Sequence, residues 1–155
     1  ELICGKILLK WREKNLPIIH VRHSSTNIDS KLHKSNPGFE FNDHVTPLDD
    51  EIVLTKNVNS AFIGTGLKSI LDESKTEIII IVGMTTNHCI STTTRMSGNL
   101  GYDTYLVSDS TACYNTKAIN GEIIDCEVIY EASLASINNE FATVINSEEL
   151  INLID

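Results

Sequence analysis

The chain has 155 residues, 41% of them hydrophobic, and sets 12 basic against 21 acidic side chains for a formal net charge of −9. With a mean hydropathy of −0.03 it reads as a soluble single domain spanning residues 1–155. The acidic balance, with no Lys/Arg cluster, argues against a nucleic-acid or anionic membrane partner.

No apolar run approaches the roughly 20 residues that a membrane span requires. Leu2 to Leu9 is broken by Gly5 and Lys6 and leads into Trp11-Arg12-Glu13-Lys14, unlike a signal peptide. Cys4, Cys89, Cys113 and Cys126 form neither a CxxC pair nor a metal-ligand spacing. A reducing compartment is therefore expected, with the cytoplasm as the default location.

In chain order, Glu1 to Asn15 reads as an amphipathic helix, with Ile3, Ile7, Leu8 and Trp11 at near-helical spacing. Pro17 stops it, and Pro17 to Arg22 reads as a strand. A helix feeding a buried parallel strand ordinarily has a strand before it, and none precedes this one. Ser24 to Asp50 is polar and longer than the roughly 12–15 residues above which irregular segments are functional or disordered. Phe39 and Phe41, on either side of Glu40, suggest that it folds back over a site.

Glu51 to Lys56 reads as a short strand ending on a lysine. A turn carrying Phe62 follows, and Gly64-Thr65-Gly66 opens a helix to about Glu73, with Leu67, Ile70 and Leu71 buried and Thr65 as N-cap. The likeness of Gly64–Ser69 to a phosphate loop is superficial, because Leu67 separates the second glycine from Lys68.

Ile78 to Val82 is an unbroken β-branched run, suited to a strand buried on both faces of a parallel sheet. Gly83 ends it, and polar residues lead to Cys89, where a helix to Leu100 is expected to start. A thiol at a helix N-terminus meets the positive end of the dipole and unpaired N–H groups, which favours thiolate. Cys89 is thus a candidate nucleophile, against the plainer reading of a small buried hydrophobe. The helix is rich in small residues (Ser91, Thr92, Thr93, Thr94, Ser97, Gly98), so close packing on more than one side is expected, with Gly101 as its stop.

Asp103 to Val107 is the next strand and Ser108 to Thr111 the loop at its end. A helix is expected from about Gly121 to Asn138, burying Ile124, Val128, Ile129, Ala132, Leu134 and Ile137. Phe141 to Ile145 is the last strand, and Ser147 to Ile154 a short closing helix. This alternation predicts an α/β fold: a three-layer, open, mostly parallel sheet with helices on both faces. Sites in such folds lie beyond the carboxyl ends of strands, where both Lys56 and Cys89 fall.

Val53 to Asp109 resembles the isochorismatase-like cysteine hydrolases, the superfamily that contains the nicotinamidases. The resembling pieces, in order, are Lys56, Ser60-Ala61-Phe62, Gly64-Thr65, Val82-Gly83-Met84-Thr85-Thr86-Asn87-His88-Cys89, Gly101-Tyr102 and Val107-Ser108-Asp109. The resemblance implies a hydrolase of a small-molecule amide or imide C–N bond, acting through a thioester. Cys89 would be its nucleophile and Lys56 the cation beside the sulfur. A cis peptide is implied at Met84–Thr85, and an oxyanion hole from the N–H groups of Thr85 and Cys89. The family's catalytic aspartate, which ends a first, central strand, has no counterpart here, so that strand is expected upstream of Glu1.

Other candidates carry weaker signals. Phe62 reads as core or pocket wall, His88 as orienting the turn or simply exposed, and Phe41 as part of the covering loop. Asp109 ranks below Cys89 and Lys56 and suits a structural strand end. Cys4, Cys113 and Cys126 read as structural. His20 and His23 look like a metal-binding HxxH pair, but odd spacing on a strand sends them to opposite faces. Nicotinamidases hold a metal through Asp-x-His, which is absent, so no metal or cofactor is expected and nicotinamide is disfavoured as substrate. The expected partners are a small-molecule substrate and further copies of the chain in a homo-oligomer. The alternatives are a non-catalytic relative used for binding or assembly, and a vinyl-ether hydrolase of the isochorismate type.

Overall fold

Apolar spacing at the start of the chain produces α1 (Leu2–Glu13), which buries Cys4, Gly5, Ile7 and Leu8. In the computed structural model, which describes residues 1–155, the chain divides into two compact units, Glu1–Lys75 and Thr76–Asp155.

In the first unit, β1 (Ile19–His23) and β2 (Ile52–Lys56) pair in parallel, in register from Ile19↔Ile52 to His23↔Lys56. Parallel strands need a long crossover. Here it is the polar segment between them, irregular apart from 3₁₀ turns at Pro37–Phe39 and Asp43–Val45. Its far end is tied to the strand and helix before it. Arg12 donates to both carboxylate oxygens of Glu51 at 2.7 and 2.8 Å and to the Thr46 carbonyl at 2.9 Å. Glu51 also accepts from Leu48 N–H at 2.9 Å and meets His20 Nε2 at 2.7 Å. These partners, Arg12 foremost, pull the Glu51 carboxyl from 4.5 down to about 2.

The middle of the crossover is held by Arg22, whose guanidinium lies 4.1 Å from the Phe39 ring centre and 5.5 Å from that of Phe41. The unit ends in α2 (Leu67–Glu73), which buries Leu67 and Leu71. Thr65, one residue ahead of the cap position, accepts from Leu67 N–H at 3.2 Å and donates to the Ala61 carbonyl.

In the second unit, β3 (Ile78–Ile81), β4 (Asp103–Val107) and β7 (Thr143–Ile145) form a parallel sheet in the order β3-β4-β7. The expectation that β3 is buried on both faces holds only at its carboxyl end. Ile81 is buried, while Ile78 is 57% exposed, because β4 is the one strand paired with β3 in its sheet. The core gathers Ile81, Ile90, Leu106, Leu134, Ile137 and Ala142.

The chain after β3 makes a wide turn at Thr86–Ile90 and continues as α3 (Ser91–Asn99). The small residues of α3 do allow close approach: a Cβ on Gly98 would lie 2.4 Å from the Phe141 carbonyl oxygen. Ser97 and Thr104 share a buried hydroxyl contact of 2.6 Å. Gly101 (φ 91) stops the helix, with its N–H on the Gly98 carbonyl and that of Tyr102 on the Ser97 carbonyl, the paired bonds of a Schellman ending.

The helix expected from Gly121 is shorter. Residues 116–124 form an antiparallel hairpin of β5 (Thr116–Lys117) and β6 (Ile123–Ile124), and α4 runs Cys126–Ala135. Asp125 sets its start by accepting from Glu127 N–H at 2.8 Å, while Asn115 accepts from Cys126 N–H at 2.8 Å. Ile124 and Val128, expected to be buried, are exposed. The last helix, α5 (Ser147–Ile154), begins with a reciprocal capping box between Asn146 and Glu149. Strands paired in parallel and alternating with helices make this an α/β fold.

Candidate active site

Lys56 is the last residue of β2 and is only 4% exposed. A lone ammonium out of water is costly, so its acceptors matter. Its Nζ donates to the Val58 carbonyl at 3.0 Å and lies 3.2 Å from His23 Nδ1. The two residues are register partners and so share one face of the β1–β2 pair. Burial first, then the charge of Lys56, lowers the His23 pKa from its ordinary 6.5, against a smaller upward pull from the Val58 carbonyl.

Cys89, half-buried, sits in the turn that follows the carboxyl end of β3. The Met84–Thr85 peptide ahead of it is cis. The Thr85 carbonyl accepts from His88 N–H at 3.1 Å and from Ile90 N–H at 3.3 Å, the latter a five-residue span that widens the turn. Cys89 therefore lies within a π-type turn, and the α-helix proper starts at Ser91 rather than at the cysteine. The turn is pinned through Thr86, whose buried hydroxyl lies 2.9 Å from that of Thr111 and whose N–H donates to the Ala112 carbonyl at 3.0 Å.

The remaining candidates separate. Phe41 packs on His20, ring centres 5.6 Å apart, and near Arg22. Strand alternation puts these two on the face of β1 opposite to His23, so the covering loop lies over the face away from Lys56. Phe62 is buried, with its N–H on the Ser60 hydroxyl at 3.2 Å. His88 is exposed, its Nε2 3.4 Å from the Asn87 amide nitrogen. Asp109 accepts from the N–H and hydroxyl of Ser147 at 2.8 and 2.5 Å and so holds the start of α5. Cys4 is buried, while Cys113 and Cys126 are half-buried, the former 3.5 Å from Asn87 Oδ1.

Sequence reasoning missed His23 and Thr86. In the sequence His23 reads only as a metal-ligand candidate with His20, although pairing the two predicted strands in parallel by their ends sets it opposite Lys56. No pattern distinguished Thr86 from its neighbours.

The isochorismatase domain family matches residues 4–149. The uncharacterized isochorismatase family protein YrdC of Bacillus subtilis is 46% identical over 148 residues, covering 96% of this chain and 79% of YrdC. A crystal structure from Chromobacterium violaceum assigned to the isochorismatase family has a TM-score of 0.94 at 32% identity, covering 98% of this chain and 79% of that one. Nicotinamidase 3 of Arabidopsis thaliana is 31% identical over 65% of this chain and 45% of its own length. No helix here is long and apolar enough to cross a membrane. The chain belongs to the isochorismatase-like hydrolase superfamily.

Proposed function

We propose that the chain hydrolyses a C–N bond in a small amide or imide, with Cys89 as nucleophile. The Cys89 thiolate, favoured by the cation of Lys56, adds to the acyl carbon, and the N–H groups of Thr85 and Cys89 hold the developing oxyanion. Collapse expels the nitrogen, which takes up from solvent the proton that the thiol gave up, and leaves a thioester. Water then adds to the thioester, releasing a carboxylic acid product and restoring the thiol.

The observation that carries this reading is the burial of Lys56 at the end of a parallel strand. A solvated strand-end lysine would stay in water, whereas this ammonium is held by His23 and Val58. The cysteine within a π-type turn gives further support, since such turns recur at functional sites. Membership of a hydrolase superfamily, with a nicotinamidase among the relatives, supports C–N chemistry. The absence of Asp-x-His favours an amide other than nicotinamide.

Ammonia release from a panel of small primary amides, together with ring opening of cyclic imides to half-amides, tests the reading. Turnover of at least one compound, falling by about a thousandfold or more in Cys89→Ala, is the expected result. Equal release by both proteins overturns it. Near neutral pH, iodoacetamide should label Cys89 well ahead of Cys4, Cys113 and Cys126. Slow, uniform labelling would instead favour a non-catalytic relative that binds or assembles.

A further inference from the structure

We propose that His23 is a positioning residue for Lys56: its Nδ1 accepts a hydrogen bond from the ammonium and so sets the direction in which that charge is presented. The inference rests on the cationic role proposed for Lys56. His23 and Lys56 end β1 and β2 in register, so backbone pairing alone brings them to one face. Nζ lies 3.2 Å from His23 Nδ1 and 3.0 Å from the Val58 oxygen. An ammonium only donates, so Nδ1 carries the lone pair and the ring proton sits on Nε2. Two acceptors then fix two N–H directions at the end of a flexible four-carbon stem.

The chemistry of the acceptor matters. A carboxylate in the same place would orient the ammonium and also cancel its charge. A neutral imidazole orients it without adding a negative charge of its own. Protonated, the ring would have no lone pair to offer and would repel Lys56. Burial and the Lys56 charge act against that state, keeping His23 neutral further into acid than an ordinary histidine.

The test uses the full chain and iodoacetamide, reading the alkylation rate of Cys89 near neutral pH by peptide mass spectrometry, with a thermal melt for every variant. Lys56→Met, which removes the cation, should slow alkylation about tenfold. His23→Phe keeps a ring without an acceptor and should slow it about threefold or more. His23→Asn can place an amide oxygen near the position of Nδ1 and should return the rate to within about twofold of wild type. His23→Phe added to Lys56→Met should change nothing further, because the two act as one unit.

A His23→Phe loss that His23→Asn does not rescue, or that adds in full to that of Lys56→Met, overturns the inference. A normal rate in His23→Phe beside a slow Lys56→Met sinks the role of His23 alone. A normal rate in Lys56→Met sinks the cationic role of Lys56 and this inference with it. If His23→Phe does not fold, His23→Leu replaces it with the same outcomes.

Discussion

Arg12 and Glu51 stand 39 residues apart and meet through two parallel hydrogen bonds, Nε and Nη2 of the guanidinium each reaching one carboxylate oxygen. Bidentate geometry is the strong form of this pair. Here it joins the helix that opens the chain to the residue just before β2, and the same carboxylate holds Leu48 N–H and His20. Glu51 is therefore the anchor for the far end of the crossover. Exposed pairs contribute about 1 kcal/mol or less, whereas breaking a buried one costs about 3–5 kcal/mol. With the Arg12 side chain 22% exposed and that of Glu51 9%, this case lies between those limits. Glu51→Ala should lower unfolding free energy by about 2 kcal/mol in urea titration. A loss no larger than that of an exposed pair would show that the anchor is dispensable.

Acid should act on the same carboxylate. Its pKa is about 2 in the folded chain against an ordinary 4.5, chiefly through the Arg12 hydrogen bonds. A depressed carboxyl gives stability that is complete above its unfolded value and is lost as pH falls through the folded one. The loss thus begins below the ordinary 4.5 and runs toward about 2. His23 acts in the same direction but higher: its folded pKa is lowered from 6.5, so its share is complete above 6.5 and declines below it. Melting temperature measured against pH should fall in both windows in the wild type. Glu51→Gln should flatten the lower window and leave the upper one.

Asp109 provides a control that separates scaffold from site. It stands in the Val-Ser-Asp piece of the resemblance, yet both carboxylate oxygens are engaged by Ser147 at the start of α5. A capping carboxylate at a helix N-terminus is worth about 1 kcal/mol. Asp109→Ala should lower stability by about that amount and leave the iodoacetamide reactivity of Cys89 unchanged. A change in cysteine reactivity without loss of stability would move Asp109 into the chemistry.

These cases show which features a sequence exposes. Local signals were legible: Pro17 and the apolar stripe delimit α1, Gly101 ends α3, and Asp103–Val107 matches β4 to the residue. The start of α4 was less so, because the helical period of Ile124 and Val128 competes with the Asn120-Gly121 turn and the Asp125 cap, which set the true start. Relations that depend on register are harder still. That His23 opposes Lys56, and that Phe41 lies on the other face with His20 and Arg22, follows only once two strands joined by a long crossover are aligned. Cys89 reads from sequence as a helix start because sequence alone does not distinguish a π-type turn from an α-helical one.

Gly98 offers a test in which two effects of opposite sign compete. Glycine inside a helix costs about 1 kcal/mol relative to alanine, so Gly98→Ala on an open helix face would stabilise. In α3 the added Cβ would fall 2.4 Å from the Phe141 carbonyl oxygen and 3.0 Å from its Cα, both backbone atoms just before β7. Neither can move as a side-chain tip would, and forcing extra carbon into a packed contact costs about 1–3 kcal/mol. The clash should win. Gly98→Ala is expected to destabilise by about 1 kcal/mol or more, and Gly98→Val by more again, since β-branching adds bulk at the same contact. A Gly98→Ala protein that melts higher than the wild type would mean that α3 and the segment entering β7 are less tightly packed than the Gly98–Phe141 approach requires.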